Sequence, residues 1–121
     1  MNEGILGLAM GFAGGFAPPD VQPTMQPPTG LSASYFDTGF DIVTQIDWTA
    51  PSEETPDYYY FVYNSDGIGF FDLTIDGLDV QESVFEYYDT YWSVSIKAQK
   101  EGYNDSSPAT IDGTTPSGSY P

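Results

Sequence analysis

From Tyr91 to Gly102 the chain reads YWSVSIKAQKEG, with Trp92, Val94, Ile96 and Ala98 at every second position and Ser93, Ser95, Lys97 and Gln99 between them. Large apolar residues alternating with polar ones predict a strand with one buried face and one wet face. The other segments supply partners for it. Leu31, Ala33 and Tyr35 alternate in a first strand, and Asp37-Thr38-Gly39 turns the chain. Phe40, Ile42, Thr44, Ile46 and Trp48 line one face of a second strand, with Asp41, Gln45 and Asp47 on the other. After an acidic, proline-bounded loop (Pro51 to Asp57), Tyr58 to Tyr63 makes a third strand, closed by the turn residues Asn64-Ser65-Asp66-Gly67. Phe71, Leu73 and Ile75 give a fourth strand ending at Asp76-Gly77, and a short fifth strand lies around Ser83 to Tyr87. Beyond the organising strand, Gly102 to Ser106 turns and Ala109 to Thr114 closes the sheet. Seven short strands with turn signals about ten residues apart predict an all-β, seven-stranded antiparallel sandwich.

The N-terminal stretch departs from this pattern. In GILGLAMGFAGGFA, residues 4–17, a helix would carry five glycines, each costing about 1 kcal/mol relative to Ala. Read as extended chain, Leu6, Leu8, Met10, Phe12 and Phe16 share one face, small residues share the other, and Gly14 is the one break. A segment with one bulky face suits docking onto another protein or adding to a sheet edge. Residues 18–28, PPDVQPTMQPP, hold five of the ten prolines and predict an extended, semi-rigid spacer. The expected organisation is an apolar arm (1–17), a proline-rich linker (18–28), the sandwich (29–116) and a C-terminal tail (117–121).

Charge narrows the function classes. Against 18 acidic residues stand two lysines, with no Arg and no His, for a net charge of -16. Such a field repels nucleic acid and anionic lipid, so neither is an expected partner. There is no cysteine, hence no disulfide or thiolate metal site. Without His or Cys the Ser-His-Asp and Cys-His systems are unavailable, and no enzymatic activity is expected. The apolar run is too short for a membrane-spanning helix, which needs roughly 20 residues. Its only early charge is Glu3, unlike the basic start of a secretory leader. The expectation is a product kept in the cytoplasm until assembly.

The order and spacing of several pieces resembles the fibronectin type III domain. They are PTGLSAS (Pro28 to Ser34), WTAP (Trp48 to Pro51), YFV (Tyr60 to Val62), WSVSIKA from Trp92, and Ser107-Pro108 leading into the last strand. The resemblance covers residues 28 to 116 and implies a sandwich used as a spacer, adhesion or recognition module, without catalysis. The family usually places Tyr where this chain has Trp92, so the hydrogen-bonded tyrosine corner is altered, with Tyr91 adjacent. The resemblance also suggests that Tyr58, Tyr60 and Val62 face the core. Tyr59, Phe61 and Tyr63 would then line the outer face as an interaction patch.

Asn64, Asp66, Asp76, Asp79 and Glu82 offer hard oxygen ligands near turns, the kind of set calcium takes. Turn chemistry accounts for Asp66-Gly67 and Asp76-Gly77 without a metal, and no cofactor is expected. The functional expectation is a virion structural accessory protein, a capsid decoration or fibre-like protein of a bacterial virus. Its arm (Leu6, Leu8, Met10, Phe12, Phe16) would dock on a capsid or other virion protein, and its sandwich would project toward a host-surface glycan or protein. The alternative is a cell-surface adhesin or pilus-like subunit, at an extracellular surface, whose arm donates a strand to the next copy.

Overall fold

The computed structural model describes residues 22–118. Seven strands form in the expected order: β1 (Thr29–Asp37), β2 (Ile42–Thr49), β3 (Tyr58–Ser65), β4 (Gly69–Asp76), β5 (Gln81–Glu86), β6 (Tyr91–Gln99) and β7 (Ala109–Thr114). They build two antiparallel sheets, one ordered β1-β2-β5 and the other β4-β3-β6-β7. The seven-stranded antiparallel sandwich predicted from the alternation is the fold.

The inner faces follow the period-two pattern. Ile42, Thr44, Ile46 and Trp48 of β2 point inward, as do Trp92, Val94, Ile96 and Ala98 of β6. Each large apolar side chain so buried contributes about 1.5–3 kcal/mol. At the centre Phe71 stacks on Tyr63 with ring centroids 5.2 Å apart, and Tyr63 stacks on Trp92 at 6.4 Å. The Trp92 indole N–H donates to the Tyr35 hydroxyl at 3.2 Å. This bond depends on Gly113 in β7, where a Cβ would lie 2.8 Å from the Tyr35 hydroxyl and 3.0 Å from the Trp92 ring. Trp92 therefore ties β6 to β1 across the edge of the sandwich. Tyr91 is no substitute corner, since its hydroxyl points outward and donates to Asp112 at 2.8 Å.

The third strand corrects the sequence reading. Tyr59, Phe61 and Tyr63, expected on the outer face, are buried in the core. Their neighbours Tyr58, Tyr60 and Val62 take the outer face. The physical reason is cross-strand register: Phe61 lies opposite Ile96 and Leu73, and Tyr63 opposite Val94 and Phe71. Directly opposed residues share a face, so the strict alternation of β6 dictates the parity of β3. The strand also runs on through Asn64 and Ser65, which were expected in the turn. The Ser65 hydroxyl oxygen accepts from the N–H groups of Gly67 and Ile68 and begins the turn there.

The domain is longer than its predicted bounds at both ends. Met25 and Pro28 are buried, so the second half of the expected spacer belongs to the fold. Met25 N–H donates to the Asn104 carbonyl at 3.0 Å, and Asn104 N–H to the Pro23 carbonyl at 2.8 Å. At the other end Asp89, in a left-handed conformation (φ 52°), donates its N–H to the Pro116 carbonyl at 3.1 Å. Its carboxylate accepts from the Ser117 hydroxyl at 2.7 Å. The arm expected over residues 1–17 lies outside the described residues.

One carboxylate among the described residues is buried. Glu86 accepts from the Tyr63 hydroxyl at 2.6 Å and from the Tyr87 N–H at 2.9 Å. Burial pushes the Tyr63 phenol far above the ordinary tyrosine range, and the bond to Glu86 adds to the shift. A tyrosine with a raised folded-state value stabilises the fold fully below the unfolded value near 10. That contribution is lost as pH rises beyond it, because only the unfolded chain ionises. Tyr63→Phe should cost about 1–3 kcal/mol at neutral pH by leaving Glu86 short of a donor. It should also flatten the loss of stability above pH 10, both effects being measured by denaturant titration. In the same assay Phe61→Ala should cost about 3–5 kcal/mol, and Tyr60→Ala less than about 1 kcal/mol. The reverse order would restore the original facing of β3.

Candidate functional site

The two outer faces differ in chemistry. On the three-stranded sheet, the inward parity of β2 sends Val43, Gln45 and Asp47 outward. On β5 it sends Gln81, Ser83 and Phe85 outward, and on β1 Ser32, Ser34 and Phe36. The register sets Phe36 opposite Val43, and Val43 opposite Phe85. An apolar row therefore crosses all three strands at one end of the sheet. Phe36 is 67% exposed and Phe85 65%, while Phe40 in the β1–β2 turn is 69% exposed. The next rows are Ser34–Gln45–Ser83 and Ser32–Asp47–Gln81. Asp47 is the sole carboxylate on this face, and Gln45 Nε2 donates to it at 3.2 Å.

The turn beside the row is rigid. The Asp37 carboxylate accepts from the Tyr88 hydroxyl at 2.6 Å and from the Gly39 N–H at 2.8 Å. Those two bonds, the tyrosine's first, hold its carboxyl below the usual range. Thr38 accepts from the N–H groups of Phe40 and Asp41. Phe40 is thus fixed at the tip of a hydrogen-bonded turn.

The four-stranded sheet presents a polar, aromatic-edged surface. Val62, Asn64, Ser93, Ser95, Thr110 and Asp112 line a shallow groove of about 340 Å³. Tyr60 donates to Asp72 at 2.7 Å on one side, and Tyr91 to Asp112 at 2.8 Å on the other. Each bond to a carboxylate raises the phenol above its ordinary value. Lys97 stands on this face opposite Tyr60. The second lysine, Lys100, sits at the base of the sandwich, 3.9 Å from Glu54 and 3.8 Å from Asp57. Exposed pairs of this kind contribute at most about 1 kcal/mol.

Among the described residues no group of three or more His, Cys, Asp or Glu side chains is placed to hold a metal ion. Of the calcium candidates, Asn64 and Asp66 belong to the β3–β4 end of one sheet, while Glu82 lies on β5 of the other. Asp76 caps its own turn by accepting from Leu78 N–H at 2.8 Å. The Glu82 carboxyl is raised by burial and then by nearby Asp79. No helix among the described residues is long and apolar enough to cross a membrane.

The sequence-derived patch at Tyr59, Phe61 and Tyr63 is therefore not a surface. The arm residues Leu6, Leu8, Met10, Phe12 and Phe16 lie outside the described residues. The row Phe36–Val43–Phe85 escaped the sequence reading, although its signal was present. The inward positions of β1, β2 and β5 leave one apolar residue of opposite parity on each strand, and pairing aligns the three.

No protein-family model matches the chain, and no curated protein matches it. Solved structures do. The fibronectin type III domain of the human collagen α-1(XX) chain superposes with a TM-score of 0.66 at 20% identity, covering 86% of this chain and 97% of that one. The fold is fibronectin type III-like. A fibronectin type III domain of human contactin 1 gives a TM-score of 0.64 at 14% identity, covering 93% and 98% of the two chains. A computationally redesigned β-sandwich gives 0.66 at 15%, covering 81% and 97%. These neighbours correct the expected virion location: the fibronectin type III-like fold is shared with domains of a collagen and a contactin, and nothing ties the chain to a virus particle. In a chain lacking residues 1–21, replacing Phe36 and Phe85 by Ser should lower binding of a hydrophobic fluorescent dye. Each change should shift stability by no more than about 0.5 kcal/mol, measured by dye titration beside thermal unfolding.

Proposed function

We propose that this chain is a non-catalytic adhesive module at an extracellular surface, acting through protein–protein contact. The observation that carries the reading is the apolar row Phe36–Val43–Phe85 with Phe40 beside it, on a rigid sheet of an otherwise strongly acidic molecule. Soluble domains seldom leave aligned large apolar side chains open to water unless a partner covers them. Fibronectin type III-like structures from a collagen and a contactin support the extracellular setting. The arm, residues 1–17, is the second contact element and joins one copy to the next. Four sheet-edge strands, β1, β5, β4 and β7, are open to such additions.

The test is molar mass by light scattering for the full chain beside a chain lacking residues 1–21. The cut precedes Gln22 because Met25 belongs to the core. Full-length protein should form defined oligomers that dissociate on truncation, with the truncated domain still unfolding in one cooperative step. Equal masses for the two would remove the arm from the reading. Removing residues 1–28 instead should cost about 2–5 kcal/mol through loss of Met25.

A further inference from the structure

The outer face of the three-stranded sheet carries an aligned row of apolar side chains, Phe36, Val43 and Phe85, with both rings well exposed. Its outward positions on β1, β2 and β5 hold one carboxylate, Asp47, two rows away from the phenyl row. The opposite face carries Asp72, Asp76, Asp112 and Lys97 among its outward positions. Large rings aligned by strand pairing and left open to water identify a face that becomes covered.

The occupant must itself be free of negative charge, because like charges brought together across an interface are strongly disfavoured. Another copy's general surface fails this condition at a net charge of -16. One stretch outside the described residues meets it. Gly4 to Pro19 carries no charged side chain, and Leu6, Leu8, Met10, Phe12 and Phe16 alternate with small residues along it. Reach also fits. Gln22 is held beside Asn104 at the β6–β7 end, and Phe36 lies at the far end of β1, about 23 Å along from Thr29 at the rise of a strand. Ten residues separate Phe12 from Gln22 and span up to about 35 Å when extended.

We propose that the outer face of the three-stranded sheet, headed by Phe36, Val43 and Phe85, receives the apolar arm of this chain, Leu6 to Phe16. The arm lays its bulky side on the phenyl row and on the neutral rows of Ser34, Gln45 and Ser83. This rests on the docking role of the arm proposed above and names its receiving surface. Covering Phe36 and Phe85 removes two large rings from water, and the small residues on the arm's other side leave a smooth outer surface.

The natural absence of cysteine gives a clean test in the full chain. Phe12→Cys is combined with Ser83→Cys, on the proposed receiving face, or with Thr110→Cys, on the outer face of the other sheet. After mild oxidation, disulfides are read by mass spectrometry and non-reducing electrophoresis. The Ser83 pair should cross-link nearly completely and the Thr110 pair hardly at all. Adding Phe36→Ser and Phe85→Ser should abolish that bias. Cross-links between two chains support both the face and the joining of copies, whereas cross-links within one chain keep the face and overturn the joining of copies proposed above. Equal yields, or preference for Thr110, would overturn the assignment. If that happens while removal of residues 1–21 still dissociates oligomers, only the receiving face is wrong. If truncation also changes nothing, the docking role of the arm falls with it.

Discussion

The Tyr63 ring is the joint on which the sandwich turns. It lies stacked between Phe71 of β4 and Trp92 of β6, and its hydroxyl reaches the one buried carboxylate among the described residues, Glu86 at the end of β5. A single side chain therefore links three strands of one sheet to an edge strand of the other. Shifting β3 by one residue would send Tyr63 to water and bring Asn64 into the core, leaving Glu86 without its phenol donor. A one-residue slip reverses every side chain of a strand, and here it would also leave the buried Glu86 carboxyl with the Tyr87 N–H alone. The register of β3, and with it the character of both outer faces, follows from that arrangement.

Once the inner faces are settled, the molecule divides its charge unevenly. Acidic residues gather in the loops and on the four-stranded face, where Tyr60 and Tyr91 hold two of them by hydrogen bonds. The three-stranded face stays nearly neutral. Self-repulsion at this net charge keeps molecules apart in general, and the phenyl row at one end of the three-stranded face carries no carboxylate of its own.

The legibility of the sequence tracked the contrast between neighbouring positions. β6 and β2 alternate sharply, so their facing was readable from the chain alone, and so was the seven-stranded sandwich. β3 reads YYYFVYNS, with an apolar or aromatic residue at six successive positions, and carries no period within that run. The informative residue was Asn64, whose outward parity places Tyr58, Tyr60 and Val62 outside, but its turn-forming character concealed that it belongs to the strand. The N-terminal boundary was misplaced for a similar reason. Proline-rich composition signals extended chain and says nothing of whether one of its side chains, Met25, finds a pocket. The aligned phenyl row is a property of pairing, and pairing between β1, β2 and β5 is long-range information that no local window contains.

The anchoring of the two ends gives the domain a mechanical axis. The chain enters at the β6–β7 end, where residues 23–25 bond Asn104 in parallel, and is held at the β5–β6 end by Asp89 and Ser117. These points lie at opposite ends of β6, about 27 Å apart at the rise of a strand. Tension passing along the polypeptide therefore runs down the length of the sandwich. The first elements to bear load are the bonds of Met25 and Asn104 at one end and the Pro116–Asp89 clasp at the other. Both clasps lie outside the seven strands, and the N-terminal one is backed by the buried side chain of Met25.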